Sequence, residues 1–310
     1  MSEPIPSTLP AIAQHLRDDV NELPMLPSVV LRLSMLDPQS PSYFDEVNRM
    51  AHADPGFAVR LLRMANSAGG GALHAAPSID MALIRVGARA AVELMLAENA
   101  TRVFPAKERW QRDLWAHSIL VATYMRRLAP MVVGHRLDAN QAYLAGLLHD
   151  IGRFLMFSYF PEAFEIIEDA GWDAPQGLIE AEMRICGCTH TQLAHWAMQR
   201  WGLPEALALA ARDHHRDEAV QGEPLPDAEV GALVGLLRDV DWLAMHVARD
   251  GVAWLQQSPE EFEARAARHM RSHYRGDAEH RLAMLRSATA DVHGLLAALG
   301  LQERDADGTG

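Results

Sequence analysis

The sequence predicts an all-α protein of many helices, and three observations predict it. Long runs rich in Leu, Ala and Met alternate with Gly and Pro punctuation, the pattern of helices joined by short loops. Short runs of β-branched residues, the mark of strands, are nearly absent. Helix-start chemistry recurs along the chain, as at Asp54-Pro55 and Ser78.

The chain has 310 residues and is 49% hydrophobic, enough for a large core as one elongated domain or two small ones. A net charge of −13 argues against broad, sequence-independent binding to nucleic acid, though it leaves room for a local basic patch. No stretch approaches the uninterrupted apolar length of a membrane span, and Met1-Ser2-Glu3-Pro4 carries no signal-peptide pattern. Cys186 and Cys188 are too few for a disulfide framework, so the expected compartment is the reducing cytoplasm. Their C-x-C spacing suits metal or redox chemistry, but two ordinary reduced thiols are the plainer reading.

Five segments are expected. Residues 1–19 form a helical lead-in, and 20–104 form an N-terminal subdomain of several short helices. Residues 105–250 hold longer helices and nearly every residue with chemical potential. Residues 251–300 form a helical extension packing on the body through 282–299, and 301–310 form a polar, disordered tail.

Within the N-terminal part, the stiff lead Leu23-Pro24-Met25-Leu26-Pro27 precedes the apolar run Val29-Val30-Leu31-Arg32-Leu33. Pro41-Ser42 is expected to open a second helix, with proline in its first turn. Asp54 caps a third helix and Pro55 begins it. That helix runs through Phe57, Leu61, Leu62 and Met64 until Gly69-Gly70-Gly71 breaks it. Ser78 begins a fourth, through Ile79, Leu83, Ile84 and Val86, which ends at Gly87.

The chemical residues come next. Positions three and four apart share a helix face, which aligns Asp113, His117, Leu120, Val121, Tyr124 and Leu128. His117 therefore sits in an apolar stripe with Asp113 one turn before it, as a site pair or as a core histidine held by its neighbour. Residues 142–156 are apolar almost all round and read as one central, buried helix. On it, His149 shares a face with Ala142, Ala145 and Gly152, small residues that let other groups crowd close. A charged Asp150 in so apolar a stretch needs a partner, either a metal or a structural hydrogen-bonded mate.

His190 follows Cys188-Thr189 at a helix start, with Thr189 or Thr191 as its cap. Asp213-His214-His215-Arg216 ends a helix that begins near Pro204. In 233–247 the stripe Leu233, Leu236, Leu237, Val240, Leu243, Ala244 and Val247 has Asp241 at one border and Asp239 at the other. Periodicity does not choose between these two acids. Imidazole and carboxylate are the ligands that borderline and hard divalent ions prefer, so their collection in one helical segment points to a metal site.

These residues resemble a known family. A histidine, then His-Asp, then a late Asp, all in helices, is the pattern of the HD superfamily of metal-dependent phosphohydrolases. The stretch Asp54-Pro55-Gly56-Phe57-Ala58-Val59-Arg60-Leu61-Leu62-Arg63-Met64-Ala65-Asn66-Ser67 resembles the signature of the HDOD family, an HD-related domain of bacterial signalling proteins. The lead at Leu23, Leu114-Trp115-Ala116-His117-Ser118 and Gly146-Leu147-Leu148-His149-Asp150-Ile151-Gly152 belong to the same pattern. With Trp201-Gly202-Leu203-Pro204 and His214-His215, the resemblance spans about residues 20 to 245.

The resemblance implies a multi-helix, HD-type phosphohydrolase-like domain with the N-terminal helical subdomain characteristic of HDOD. By it, His117, His149, Asp150 and Asp241 map to a four-ligand mononuclear pattern, Asp241 through Val240-Asp241-Trp242-Leu243-Ala244. The related HD-GYP phosphodiesterases add ligands for a second metal, and Asp113, His190, His214 and His215 fall at comparable places. That branch carries Gly-Tyr-Pro after its paired histidines. Here Arg216-Asp217-Glu218-Ala219-Val220 follows, which argues against cyclic-dinucleotide hydrolysis but not against metal.

The implied cofactor is one or two divalent ions; the sequence does not choose among Fe, Mn, Mg and Zn. Asp150 and Arg153 are the candidate catalytic residues. Arg153, one turn after His149, stabilises phosphoryl oxygens or is a plain surface charge. Two functions are implied: a metal-dependent phosphohydrolase or phosphodiesterase within a signalling protein, or a catalytically silent adaptor that binds a protein or small ligand. The expected partners are a signalling protein or a small phosphorylated ligand, with no membrane and with nucleic acid disfavoured. The N-terminal segment is extra to a minimal HD core and reads as a docking surface, a lid or stabilising bulk.

Overall fold

The computed structural model describes residues 24–67, 76–169, 175–216 and 225–302. The lead-in 1–19, Leu23, the glycines at 69–71, residues 217–220 and all but the first two residues of the tail 301–310 lie outside the described residues. The N-terminal part holds α1 (Ser28–Ser34), α2 (Tyr43–Ala53), α3 (Pro55–Ser67), α4 (Ile79–Val86) and α5 (Ala88–Val103). The middle begins with α6 (Arg109–Leu128), α7 (Ala139–Leu148), α8 (Ile151–Tyr159) and α9 (Pro161–Asp169). It continues with α10 (Pro175–Cys186), α11 (His190–Arg200), α12 (Glu205–Asp213) and α13 (Ala228–Asp250). Then come α14 (Pro259–His269) and α15 (Ala278–Leu299). The fold is all-α; among the described residues, β pairing is limited to an isolated bridge between Val132 and Tyr274.

Local chemistry sets most boundaries. Asp54 Oδ1 accepts from the N–H groups of Gly56 and Phe57, capping α3 directly before Pro55. Ser78 accepts from the Met81 N–H at the start of α4, and Gly87 ends that helix at φ +87°, a conformation costly for any other residue. Pro41 does not open α2. It stands in a preceding turn closed by Tyr43 N–H to Ser40 O at 3.0 Å, and the helix begins at Tyr43.

One hydrophobic core runs from Val30 to Leu301 and joins the N-terminal helices to the rest. Its least expected member is α5, buried at ten consecutive positions from Ala91 to Ala100. That burial includes Glu93 and Glu98, each opposite arginine: Glu98 lies 2.8 Å from Arg60 and 2.7 Å from Arg102, and Glu93 lies 3.3 Å from Arg126. A smaller cluster under α8 to α11 includes Phe157, Ile167, Ile185, Cys186 and Cys188. Both cysteines are buried and outside any disulfide, and burial pushes the Cys186 thiol up to about 12, as expected for an inert packing group.

The largest departure from expectation lies at 142–156. The apolar stretch is two helices, α7 and α8, separated at His149 and Asp150. Asp150 adopts φ −95° and ψ 11°, outside the helical region, so the chain turns there. An apolar periodicity cannot register such a turn, because both helices remain buried on either side of it.

Two glycines permit the crowding around this turn. A Cβ on Gly146 would lie 2.7 Å from the Ala122 Cα, so α7 and α6 touch backbone to backbone. A Cβ on Gly152 would lie 1.9 Å from the His190 carbonyl oxygen. Gly152→Ala is therefore expected to cost about 3 kcal/mol in chemical denaturation, through forced separation of α8 from α11. Gly294→Ala, on α15 with nothing within 4 Å of the new Cβ, is the control and should gain up to about 1 kcal/mol.

Candidate metal centre

Five parts of the chain converge on one buried locus. His117 comes from the middle of α6, and His149 and Asp150 from the α7–α8 turn. His190 is the first residue of α11, His214 and His215 follow the last residue of α12, and Asp241 lies on α13. Two ligand groups result, His117 with His149 and Asp241, and Asp150 with His190, His214 and His215; in each, the ligand atoms lie within 4.8 Å of one another.

The backbone fixes which ring atoms face inward. His149 and His214 both stand at helix C-termini. Each Nδ1–H donates at 2.7 Å to the carbonyl three residues back, of Gly146 and Ala211 respectively. A helix end leaves carbonyls unpaired, and these rings satisfy one each. Their Nε2 atoms are left for the centre. His190 Nδ1–H donates to the Glu182 carboxylate at 2.8 Å, and its backbone N–H donates to Glu182 Oε2 at 2.9 Å. A carboxylate behind an imidazole fixes the tautomer of a metal-ligating histidine in the same manner. Asp150 precedes α8 but makes no capping hydrogen bond, so its carboxylate is not spent on the helix.

The contact distances are short. Asp150 links the two groups: Oδ2 lies 3.5 Å from His149 Nε2, while Oδ1 lies 3.3 Å from His190 Nε2 and 3.8 Å from His214 Nε2. Asp241 Oδ1 lies 2.9 Å from His117 Nε2 and 3.7 Å from His149 Nε2, and its Oδ2 lies 3.8 Å from His215 Nδ1. Nε2 of His149, His190 and His214 and Oδ1 of Asp150 are buried without a hydrogen-bond partner. Buried polar atoms are normally paired. Here ligand atoms crowd one another within reach of a common point, and a shared cation would satisfy them together. The donor set therefore fits a divalent metal.

Electrostatics agrees. Burial disfavours ionised Asp150, yet His149, His190, Arg153 and His117 outweigh it and hold the carboxyl far below the usual range. Burial likewise opposes ionised Asp241, and the hydrogen bond with His117, together with the neighbouring His149, overcomes it. Burial opposes charge on His149 too, but Asp150 and Asp241 raise it to about 9. His214 is pushed down by burial and by the neighbouring His215, and His215 falls to about 4 mainly through burial.

The structure separates the sequence candidates. Asp113 belongs to neither group: it is exposed and pairs with Arg109 at 3.6 Å. At that end of α6 the core is met by Leu114 and Trp115, so the wheel that holds from His117 onward does not extend back to Asp113. Asp241 faces the centre, whereas Asp239 accepts from the Arg271 and Ser272 N–H groups and the Tyr274 hydroxyl. Arg153 lies with its guanidinium carbon 5.7 Å from the Phe157 ring centroid, and its charge supports ionised Asp150. Neither cysteine belongs to a ligand group among the described residues.

Glu182 was not singled out by sequence reasoning. Its signal is an acid inside the stripe of buried Leu178, Ala181 and Ile185 on α10. A cavity of about 260 Å3 opens beside His214, His215 and Asp241. No described helix is long and apolar enough to cross a membrane.

Comparison with known proteins follows the geometry. A Treponema pallidum protein of uncharacterised role is 26% identical over 206 residues, which is 66% of this chain and 40% of that protein. The chain thus spans well under half the length of that relative. A Shewanella amazonensis structure named as a candidate phosphohydrolase aligns at a TM-score of 0.65 with 21% identity, over 92% of this chain and 97% of its own. A Geobacter sulfurreducens HDOD domain structure aligns at 0.63 with 24% identity, over 96% and 99%. These likenesses establish the fold. The HDOD domain family itself matches residues 23–217, more than half of the sequence, and the chain belongs to that family.

Proposed function

We propose that this HDOD protein is a metal-dependent phosphohydrolase acting on a small phosphorylated ligand in bacterial signalling. One observation carries the reading: three imidazole nitrogens and a carboxylate oxygen are buried, unpartnered and aimed at one another. His117, His149 and Asp241 would hold one ion, and His190, His214 and His215 a second, with Asp150 between them. Five imidazoles against two carboxylates favour iron or zinc over magnesium. When bound, such an ion supplies a Lewis acid and makes hydroxide available near neutral pH.

The chain's own residues do the rest. Glu182 holds the His190 ring with Nε2 inward, and the Gly146 and Ala211 carbonyls do the same for His149 and His214. The charge of Arg153, after those of His149 and His190, favours ionised Asp150. The cavity beside His214, His215 and Asp241 is where a phosphoryl group meets the centre. A second copy of this logic, without turnover, is the silent adaptor; the same experiments separate the two.

Metal analysis of purified protein, with phosphatase and phosphodiesterase assays, tests the reading. Wild type is expected to carry metal and to turn over, and His149→Ala is expected to lose both. Bound metal without turnover on any phosphoester would leave the adaptor, and metal-free, inactive wild type would sink the proposal. Asp241→Ala should strip metal, whereas Asp239→Ala should keep it and instead lower Tm by the loss of three buried hydrogen bonds. Glu182→Gln should weaken metal binding by about 10- to 100-fold.

The pH dependence has a definite sign. His149 is raised to about 9 in the metal-free protein, and a ligand imidazole must be neutral. Metal binding at neutral pH therefore releases its proton. Apparent affinity should climb about tenfold per pH unit up to roughly 9 and flatten above it. Calorimetry in buffers of different ionisation enthalpy reads the released proton; a pH-independent affinity would contradict the assignment.

A further inference from the structure

The family match ends at residue 217, yet the cavity beside the metal centre does not end there. Its far wall is built by Arg238 and Trp242 of α13 and by His269 and Arg271, with Arg216 beside the histidine pair. Three arginines lining one cavity are unexpected in a chain of net charge −13. Arg216 also pairs with Asp213 at 3.6 Å, and Arg238 Nη2–H donates to the Arg216 carbonyl at 3.1 Å, which ties the two arginines together. They make a local positive field at the mouth of a site otherwise lined by imidazole and carboxylate.

The wall is fixed, not a loose loop. Asp239 is fully buried and receives Arg271 N–H at 2.8 Å, Ser272 N–H at 2.8 Å and the Tyr274 hydroxyl at 2.9 Å. The same strap is tied to the turn after α6 by Val133 N–H to His273 O and by Arg275 N–H to Met131 O, both at 2.8 Å. His269 stacks on Trp242 with ring centroids 4.5 Å apart and planes 16° from parallel. Four nearby positions on α13 thus divide the work. Arg238 lines the cavity, Asp239 holds the strap, Asp241 faces the metal centre and Trp242 backs the wall.

We propose that Arg271, with Arg238 and Arg216, forms an anion subsite that selects substrates bearing two adjacent phosphoryl groups. The proposal rests on the phosphohydrolase reading, because one phosphoryl group must meet the metal centre while the second meets the guanidiniums. A single phosphoryl group is already served by the cation at the centre. Arg271, the exposed arginine of the wall, adds positive charge suited to a second anionic group in the same cavity. Guanidinium forks match phosphoryl oxygens in geometry as well as charge.

The test uses pyrophosphate and inorganic phosphate as probes on the full chain, by calorimetry at fixed ionic strength, with metal content measured before and after each titration. Wild type is expected to prefer pyrophosphate to phosphate by about tenfold or more. Arg271→Ala, an exposed position, should fold with unchanged metal content and lose most of that preference. Arg271→Lys should restore part of it. Repeating Arg271→Ala in the His149→Ala background separates this proposal from the one beneath it. Loss of metal judges the metal centre, and a weakening caused by Arg271 in both backgrounds judges the subsite. Equal binding of both probes by wild type, or an unaltered preference in Arg271→Ala, would overturn the subsite whatever the metal content.

Discussion

A carboxylate buried among imidazoles is the constraint on which this structure turns. Asp150 lies in an apolar interior, where an isolated charge is prohibitive. Everything near it is arranged to make the charge tolerable. Two helices are broken apart to place it, five histidines from four parts of the chain come within reach of the centre it shares, and two glycines remove the side chains that would hold those elements apart. A packed apolar replacement would be easier to fold, as buried ion clusters generally are weak sources of stability. The arrangement is explained by what it can bind, not by the stability it confers.

The helix ends give this centre its rigidity. An imidazole has two nitrogens, and a ligand site works only if the correct one is deprotonated and aimed inward. His149 and His214 achieve this by donating Nδ1–H to the last free carbonyls of their own helices. His190 uses Glu182 instead, because it opens a helix and has no free carbonyl behind it. Two of the tautomers are therefore set by the helix ends themselves and the third by a buried carboxylate.

Much of this was legible in the sequence, and the failures have physical causes. Capping residues such as Asp54 and Ser78 act on their own neighbours, so local spacing placed α3 and α4 correctly. His149 and Asp150 stood out because polarity inside an apolar run is informative. The break between α7 and α8 did not, since burial on both sides erases any periodic signal. Asp113 misled because a helical wheel assumes one neighbour along the whole helix, whereas the first turn of α6 faces solvent on that side. Asp239 and Asp241 bordered the same stripe symmetrically. Only the position of the strap after α14, far along the chain, distinguishes them.

That strap also changes how the chain's charge should be understood. An acidic protein would repel a polyanionic ligand at long range, so the sequence left attraction to the metal alone. The fold instead gathers arginines from positions 216, 238 and 271 around one opening, concentrating positive potential where the ligand groups lie. Net charge sets the far field, and local placement sets the near field within a Debye length of about 8–10 Å. Arg238 and Arg271 lie beyond the family-matched residues, as does Asp241 of the metal centre, so the part of the chain after residue 217 completes both the centre and its arginine-lined opening.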